Sequence, residues 1–155
     1  MLVRVVAVAV TSGDARIRAA RFPRGFAFPA RLAFGLRGPR RQVLGSTFSG
    51  VVEKTGPKVS DFTPGDEVCG MTGIRMGAHA EYLAVPAAKL ARKPAGVSHA
   101  DAAGILFGGS TAIYFLRDQC EINEGSTVLV NGASGSVGTA AVQVARHLGA
   151  TVTAV

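Results

Sequence analysis

The chain is 155 residues long and 48% of its residues are hydrophobic, a composition that suits one folded domain or slightly more. It has no run of 18 or more apolar residues, so the sequence predicts no membrane span, and its apolar start MLVRVVAVAV lacks the cleavage pattern of a signal peptide. The two cysteines, Cys69 and Cys120, are isolated, which excludes a disulfide framework and predicts a reducing, cytoplasmic location.

The formal net charge of +7 is concentrated near the start of the chain. Up to Gly45 the sequence has one acidic residue, Asp14, and nine arginines: Arg4, Arg16, Arg18, Arg21, Arg24, Arg31, Arg37, Arg40 and Arg41. These arginines alternate with apolar residues and show no recognition-helix pattern, so we do not expect a nucleic-acid partner. The stretch is instead predicted to form a solvated face that helps to attract an anionic cofactor.

The first part of the chain predicts mostly β structure. A strand over Leu2–Val10 is followed by turn residues at Thr11–Asp14, by a short helix that Pro23 ends, and by a long loop or a short helix with irregular flanks at 25–41. Three further strands are predicted in the segments STFSGVVEKTG, FTPGDEVCGM and AHAEYLAVP. Short strands at such close spacing are typical of a small β-barrel or sandwich.

The pattern changes after Pro94. Ser98 is predicted to cap a helix with Asp101 as its partner, and STAIYFLRDQC continues with helical spacing. A buried strand in STVLVNG, an amphipathic helix in SVGTAAVQVARHL with Gly149 as its C-cap, and a second strand in ATVTAV then follow. The strand, the helix and the second strand predict one right-handed βαβ unit.

The segment VLVNGASGSVG, Val128–Gly138, places a glycine turn between that strand and that helix. The first N–H groups of a helix have no partner within it, and the helix dipole favours negative charge there, so the turn is suited to hold a pyrophosphate. Gly135 lets the backbone approach the ligand, and Gly138 lets the helix pack closely on the strand. The hydroxyls of Ser134 and Ser136 can add donors. The predicted cofactor-binding residues are Gly132, Ala133, Ser134, Gly135, Ser136, Val137 and Gly138.

The spacing departs slightly from the usual G-x-G-x-x-G fingerprint. It reads Ala133-x-Gly135-x-x-Gly138, with Gly132 one position earlier. A plain glycine turn without a ligand is the alternative, but the βαβ context on both sides favours dinucleotide binding. The fingerprint usually includes an acidic residue about 20 positions on, and residues 139–155 contain neither Asp nor Glu, so they do not decide between NAD and NADP.

Several segments together resemble the medium-chain dehydrogenase/reductases, above all their zinc-independent quinone oxidoreductase-like branch. In family order and spacing, they are VLGSTFSGVVEKTG, VSDFTPGDEV, GAHAEYLAVP, LARKP, ADAAGI, GGSTAIYFL and VLVNGASGSVGTAAVQVARHLGATVTAV. The resemblance implies a mixed α/β fold. A GroES-like β-barrel domain that lacks its first strands is expected at 1–106, followed at 107–155 by the first βαβ unit of a Rossmann domain, with the join near Phe107.

The resemblance also implies that the chain is an N-terminal fragment, because family members continue through further Rossmann strands after the TVTAV segment. The full-length protein is then expected to be a homo-oligomer. A single βαβ unit leaves apolar faces and strand edges uncovered, which predicts poor solubility or self-association of this chain expressed alone.

The resemblance bears on metal binding as well. Zinc-dependent relatives have a cysteine at the position of Thr11 and a His-Glu pair at the positions of Ser46 and Thr47. Hydroxyls are poor zinc ligands beside thiolate and imidazole. The segment between Cys69 and His79 is too short for the structural zinc lobe of those relatives, and the three histidines lack ligand spacing. We therefore expect no metal.

The activity implied by the resemblance is hydride transfer from a nicotinamide cofactor, NADP(H) rather than NAD(H), to a small-molecule quinone or α,β-unsaturated carbonyl. A hydroxyl can stabilise the charge that develops on the acceptor oxygen, and Thr11 and Thr111 are the catalytic candidates by family position. A structural role is equally open for each. Glu81 and Tyr82 are interpreted as structural. The alternatives are an enoyl-thioester reductase of the same superfamily and a non-catalytic or inactive truncated NADPH-binding protein.

Overall fold

The computed structural model describes residues 1–35 and 38–155, which form two compact units, Met1–Ala103 and Gly104–Val155. In unit 1 the elements are β1 (Leu2–Val8), α1 (Ser12–Arg18), α2 (Ala27–Phe34), β2 (Thr47–Lys54), β3 (Glu67–Met71), β4 (Tyr82–Ala84) and β5 (Leu90–Arg92). Helix α3 (His99–Ile113) crosses the unit boundary, and unit 2 continues with β6 (Thr127–Val130), α4 (Ser136–His147) and β7 (Thr151–Ala154). The predicted join near Phe107 falls within α3.

Unit 1 is built on a five-stranded antiparallel sheet with the strand order β4-β1-β2-β3-β5. Its valine-rich strands place alternate side chains on one face, where Val3, Phe48, Val52 and Val68 are almost completely buried. Burying one such side chain contributes about 1.5–3 kcal/mol. An antiparallel β unit followed by a parallel βαβ unit confirms the mixed α/β fold that the sequence predicts.

Several predicted elements of unit 1 have different bounds in the structure. The supposed turn Thr11–Asp14 is the start of α1, because Thr11 caps the helix and Asp14 completes a capping box. Residues 25–41 contain the helix α2, and the strand predicted in AHAEYLAVP is reduced to Tyr82–Ala84. The strand β5 was not predicted, since its sequence Leu90–Arg92 is too short to show a period. Arg37, one of the nine arginines, lies outside the described residues.

The first turn of α3 is fixed to the sheet by a polar network. The Ser49 hydroxyl lies 2.7 Å from His99 Nδ1, and His99 Nε2 lies 3.0 Å from Glu67 Oε1. Ser49 Oγ also donates to Val68 O at 2.9 Å, and Lys93 Nζ lies 3.2 Å from Glu67 Oε2. The hydrogen bond from Lys93, and then that from His99, lower the pKa of Glu67 below its ordinary value. His99 therefore connects the first turn of α3 to strands β2 and β3 of the sheet.

Unit 2 contains the predicted βαβ arrangement. Strands β6 and β7 pair in parallel, with Val128 opposite Val152, and α4 connects them. Gly149 follows α4 with a φ of +83°, the left-handed conformation expected just after a helix. The helical pattern predicted from Ser98 to Cys120 corresponds to α3 and to a π-helical turn, Tyr114–Gln119, which follows it directly. Within the described residues, no helix has the length and apolar character needed to cross a membrane.

Candidate cofactor site

The glycine turn of unit 2 lies between the end of β6 and the start of α4. Gly132 has a φ of +78°, a conformation that strongly favours glycine. The N–H groups of Gly132 and Ala133 donate to the carbonyl of Val155 at 2.8 and 3.0 Å, and Val155 N–H donates to Val130 O at 3.0 Å. The end of β7 therefore holds the turn in place from the side of the neighbouring strand.

The first backbone N–H groups of α4 have no acceptor among residues 1–35 and 38–155. Thr139 N–H is the first to bond within the helix, to Gly135 O at 2.8 Å, and Gly135 is an N-cap without a capping side chain. In the described part of the chain, the N–H groups of Ser136, Val137 and Gly138 are without a hydrogen-bond partner. Together with the positive end of the helix dipole, these three donors form a candidate site for an anion.

The two glycines of the fingerprint differ in what surrounds them. A Cβ on Gly138 would lie 2.7 Å from Ala133 Cα and still closer to Gly132 O, so a side chain there would displace the turn. A Cβ on Gly135 would meet only Gly132 O, at an ordinary 3.4 Å, and φ at Gly135 is −75°. At position 138 the surrounding protein leaves no room for a side chain. At position 135 a side chain would fit, and glycine there leaves open space above the unpaired N–H groups.

The hydroxyl groups around the turn are also of two kinds, one bonded to the turn and the others unpaired. Thr139 Oγ1 donates to Ala133 O at 3.0 Å and so stabilises the turn. Ser134 and Ser136 are exposed, and within the described residues their hydroxyls have no partner. Both serines are thus available as donors beside the three N–H groups.

Gly108 on α3 contributes to the site, although the sequence analysis did not single it out. A Cβ there would lie 2.6 Å from Ser136 Oγ, so glycine lets α3 reach the first residue of α4. A groove of about 740 Å³ runs between these two helices, and Ile105, Ile113, Ser134 and Ser136 are among its lining residues. A paired glycine inside an otherwise helical segment, as in FGGST, is the sequence pattern that could have indicated this close approach.

Thr111, one of the two catalytic candidates, lies on α3 in unit 2. Its hydroxyl donates to Phe107 O at 2.7 Å, the bond that a threonine often makes to the carbonyl four residues earlier in a helix. Thr111 is half-buried and is not among the residues that line the groove between α3 and α4. The hydroxyl is therefore already engaged within its own helix.

Thr11, the other candidate, lies in unit 1 at the N-cap of α1. Its hydroxyl donates to Asp14 Oδ2 at 2.7 Å and its N–H donates to the same oxygen at 2.9 Å. Asp14 is 5% exposed, and its Oδ1 accepts the N–H of Gly45 at 3.1 Å. Burial acts to raise the pKa of Asp14, but the bonds from Thr11 and Gly45 and the nearby His79 outweigh it, so that the pKa lies below the usual aspartate value.

The residues at the position of the relatives' metal site follow Gly45 directly. Ser46 is half-buried, and Thr47 is fully buried with its hydroxyl oxygen unpaired within the described residues. Across residues 1–35 and 38–155, no group of three or more His, Cys, Asp or Glu side chains could hold a metal ion. The donor set at this position consists of hydroxyls, which are poor ligands for zinc.

Residues 1–95 match the family model of the alcohol dehydrogenase GroES-like domain. Over 114 residues the chain is 40% identical to the pikromycin polyketide synthase component PikAII of Streptomyces venezuelae, a match that covers 74% of this chain and 3% of that protein. It is 39% identical over 112 residues to the 2-haloacrylate reductase of a Burkholderia species, covering 71% of this chain and 33% of that protein.

Solved structures with the same fold include two reductases. The CurK enoyl reductase has a TM-score of 0.86 and 26% sequence identity, and the match covers 99% of this chain and 44% of that chain. The quinone oxidoreductase from Coxiella burnetii has a TM-score of 0.84 and 29% identity, covering 99% of this chain and 46% of that chain. The chain thus spans less than half the length of these relatives.

The family model and the structural matches cover different shares of the chain. The model covers more than half of the chain, within unit 1, and the structural matches extend through the glycine turn of unit 2. The chain belongs to the alcohol dehydrogenase GroES-like family within the medium-chain dehydrogenase/reductases, a superfamily of oxidoreductases that use nicotinamide cofactors.

Proposed function

We propose that this chain is part of a zinc-independent reductase that uses NADP(H) to reduce a quinone or an α,β-unsaturated carbonyl. The observation that carries the proposal is the set of three unpaired N–H groups at Ser136, Val137 and Gly138, with open space over Gly135. A diphosphate fits this donor set because it supplies several acceptor oxygens and a negative charge at the positive end of a helix.

When bound, the nicotinamide would supply the hydride, and the chain's own residues would bind and orient it. The bonds from Gly132 and Ala133 to Val155 hold the turn rigid, so the three N–H donors are oriented before any ligand arrives. The hydroxyls of Ser134 and Ser136 would add two donors to the diphosphate oxygens. Seven arginines of unit 1 would attract the anion from a distance: Arg16, Arg18, Arg21, Arg24, Arg31, Arg40 and Arg41.

Thr11 and Thr111 are the proposed hydrogen-bond donors to the carbonyl oxygen of the substrate. In the structure each hydroxyl already donates to an oxygen of the protein. Each hydroxyl now donates over 2.7 Å, Thr11 to Asp14 Oδ2 and Thr111 to Phe107 O. To stabilise developing charge, the O–H must rotate away from its present acceptor. That rotation costs less at Thr111, whose acceptor is a carbonyl, than at Thr11, whose acceptor is a buried carboxylate.

Reduction of an enoyl thioester is the second candidate function. The likeness to the CurK enoyl reductase and the identity with a polyketide synthase component favour it. Both reactions deliver a hydride to a carbon–carbon double bond or quinone ring conjugated with a carbonyl. They share the cofactor site described here and differ in the acceptor that the complete protein accepts.

The cofactor site can be tested by blocking its open face. Gly135→Val should leave the fold unchanged, because its φ suits any residue and a Cβ meets no close atom. The branched side chain would cover the N–H groups and weaken NADPH binding to the 155-residue chain by at least about 10-fold. Gly56→Ala, in unit 1 with no atom within 4 Å of the new Cβ, is the matched control. Equal NADPH affinity of the two variants, measured by fluorescence titration, would contradict the proposed site.

The acceptor is tested separately with the complete protein of which this chain is proposed to be part, by following NADPH and NADH consumption with a panel of quinones, enones and enoyl thioesters. Turnover with quinones or enones supports the main proposal, and turnover with enoyl thioesters alone supports the second candidate. Binding of NADPH without turnover of any acceptor would instead support a non-catalytic cofactor-binding protein.

A further inference from the structure

Unit 1 contains a small cleft that the cofactor site does not use. It has a volume of about 280 Å³ and lies between the ends of α1 and α2, the segment after Gly38, and the helical turn Gly73–Arg75. The lining residues are Ile17, Ala33, Phe34, Pro39, Arg40, Arg41, Leu44, Ile74 and Met76. Apart from the two arginines, every side chain in this lining is apolar.

The two arginines have no counter-charge among the residues that the structure describes. No acidic side chain lines the cleft, and within the described residues the guanidinium groups of Arg40 and Arg41 make no hydrogen bond or ion pair. The acid nearest in sequence, Glu53, pairs with Arg4 at 3.8 Å. Asp14, the acid that precedes the two arginines, is buried and bonded to Thr11 and Gly45. The charge of the cleft is therefore uncompensated.

Met76 forms part of the apolar wall in an unusual backbone conformation. Its φ is +50° and its ψ is −155°, a region that residues with a side chain rarely adopt. Strain of this kind persists only where surrounding structure imposes it, and it is concentrated at ligand and functional sites. A methionine side chain also adapts readily to the shape of an apolar ligand.

We propose that this cleft binds a small organic monocarboxylate, with its apolar body among Ile17, Phe34 and Met76 and its carboxylate on Arg40 and Arg41. The planar guanidinium fork matches a carboxylate in two parallel hydrogen bonds. The small volume and the apolar lining disfavour a sugar or a nucleotide, because its hydroxyls would be buried without partners. The site stands independently of the cofactor site in unit 2.

The probe is hexanoate, compared with hexan-1-ol and with inorganic phosphate by titration of the 155-residue chain labelled with ¹⁵N. Hexanoate should bind with a Kd on the order of 1 mM, about 10-fold more tightly than the alcohol or phosphate. The amide signals that shift should include those of Ile17, Ala33, Ile74 and Met76. Equal affinity for hexanoate and hexanol would refute the role of the arginines, and equal affinity for phosphate would refute the apolar part of the site.

Two variants separate the parts of the cleft. The double change Arg40→Ala and Arg41→Ala should remove the preference for acid over alcohol, whereas Arg24→Ala, an exposed arginine outside the cleft, should retain it. Ala33→Phe fills the cleft from an exposed position on α2 and should weaken both ligands with an unchanged unfolding midpoint. If Arg24→Ala loses as much affinity as the double variant, the attraction is a general effect of the basic face and the proposal fails. If Ala33→Phe does not fold, the shift map and the arginine variants decide the question.

Discussion

Backbone N–H groups are used in opposite ways in the two units. In unit 1 the N–H of Gly45 donates to the buried carboxylate of Asp14, so the protein supplies its own anion. In unit 2 the N–H groups of Ser136, Val137 and Gly138 have no acceptor in the described part of the chain, and no acidic residue follows in 139–155. The same chemical group therefore serves structure where the chain provides a carboxylate, and is unpaired where the chain provides none, which is the basis of the proposed cofactor site.

The largest effect is expected at Gly138, where the ligand site depends on tight packing. Gly138→Val forces a side chain into the turn at Gly132 and Ala133 and should destabilise unit 2 by about 3 kcal/mol while abolishing NADPH binding. Urea unfolding followed by circular dichroism measures the first effect and fluorescence titration the second. The matched helical control is Gly104→Ala, where no atom lies within 4 Å of the new Cβ and a gain of about 0.5 kcal/mol is expected. Equal stability of the two variants would show that the packing argument is wrong.

Removing the protein's own anion should have the next largest effect. Asp14→Ala leaves Gly45 N–H without an acceptor and opens the capping box of α1, which should lower the free energy of unfolding by about 2 kcal/mol. NADPH affinity should stay unchanged, because the site lies in unit 2. Thr11→Ser retains the hydroxyl and should cost less than half as much. A loss of NADPH binding in Asp14→Ala would contradict the assignment of Asp14 to structure alone.

The network at the start of α3 should contribute less, because part of it faces solvent. His99→Ala removes the bonds to Ser49 and Glu67 at the same time and should destabilise unit 1 by about 1 kcal/mol. The control is His147→Ala, at an exposed histidine on α4 whose side chain makes no hydrogen bond within the described residues. Thermal unfolding of both variants tests the difference, and indistinguishable midpoints would remove the network as a source of stability.

The smallest effect is the dependence of stability on acid. Because the pKa of Asp14 is lowered in the folded state, its contribution is complete above the pKa of the unfolded chain. That contribution is lost as the pH falls through the lower, folded value, so unit 1 should weaken below about pH 4. Asp14→Asn should flatten this part of the curve of unfolding free energy against pH. An unchanged slope in the variant would assign acid sensitivity to other carboxylates.

The sequence predicted those elements whose characteristic pattern lies within the element itself. The alternating valines of β1, the helical spacing of α4 and the glycine turn between β6 and α4 are all read from neighbouring residues. The family resemblance predicted the mixed α/β fold. The local predictions succeed because the physical cause lies within a few positions of the effect.

The parts that the sequence did not predict depend on distant partners. The role of Gly108 requires knowing that α3 meets Ser136, and the tie through His99 requires Ser49, 50 positions earlier. Thr11–Asp14 has turn chemistry, yet a capping box uses the same residue types to begin a helix. The hydrogen bond from Gly45 to Asp14 distinguishes the helix start from a turn, and the residues around Thr11 do not reveal that contact.

The hydrogen bonds from Gly132 and Ala133 to Val155 couple the proposed cofactor site to the end of β7. The turn takes its shape from a carbonyl that lies 23 positions later in the chain, beyond the whole of α4. The glycine segment as an isolated peptide would sample many shapes, and an anion would have little to bind. Affinity for a diphosphate should therefore appear in one cooperative step, when β7 pairs with β6. Binding of the anion can then be used to follow that step of folding.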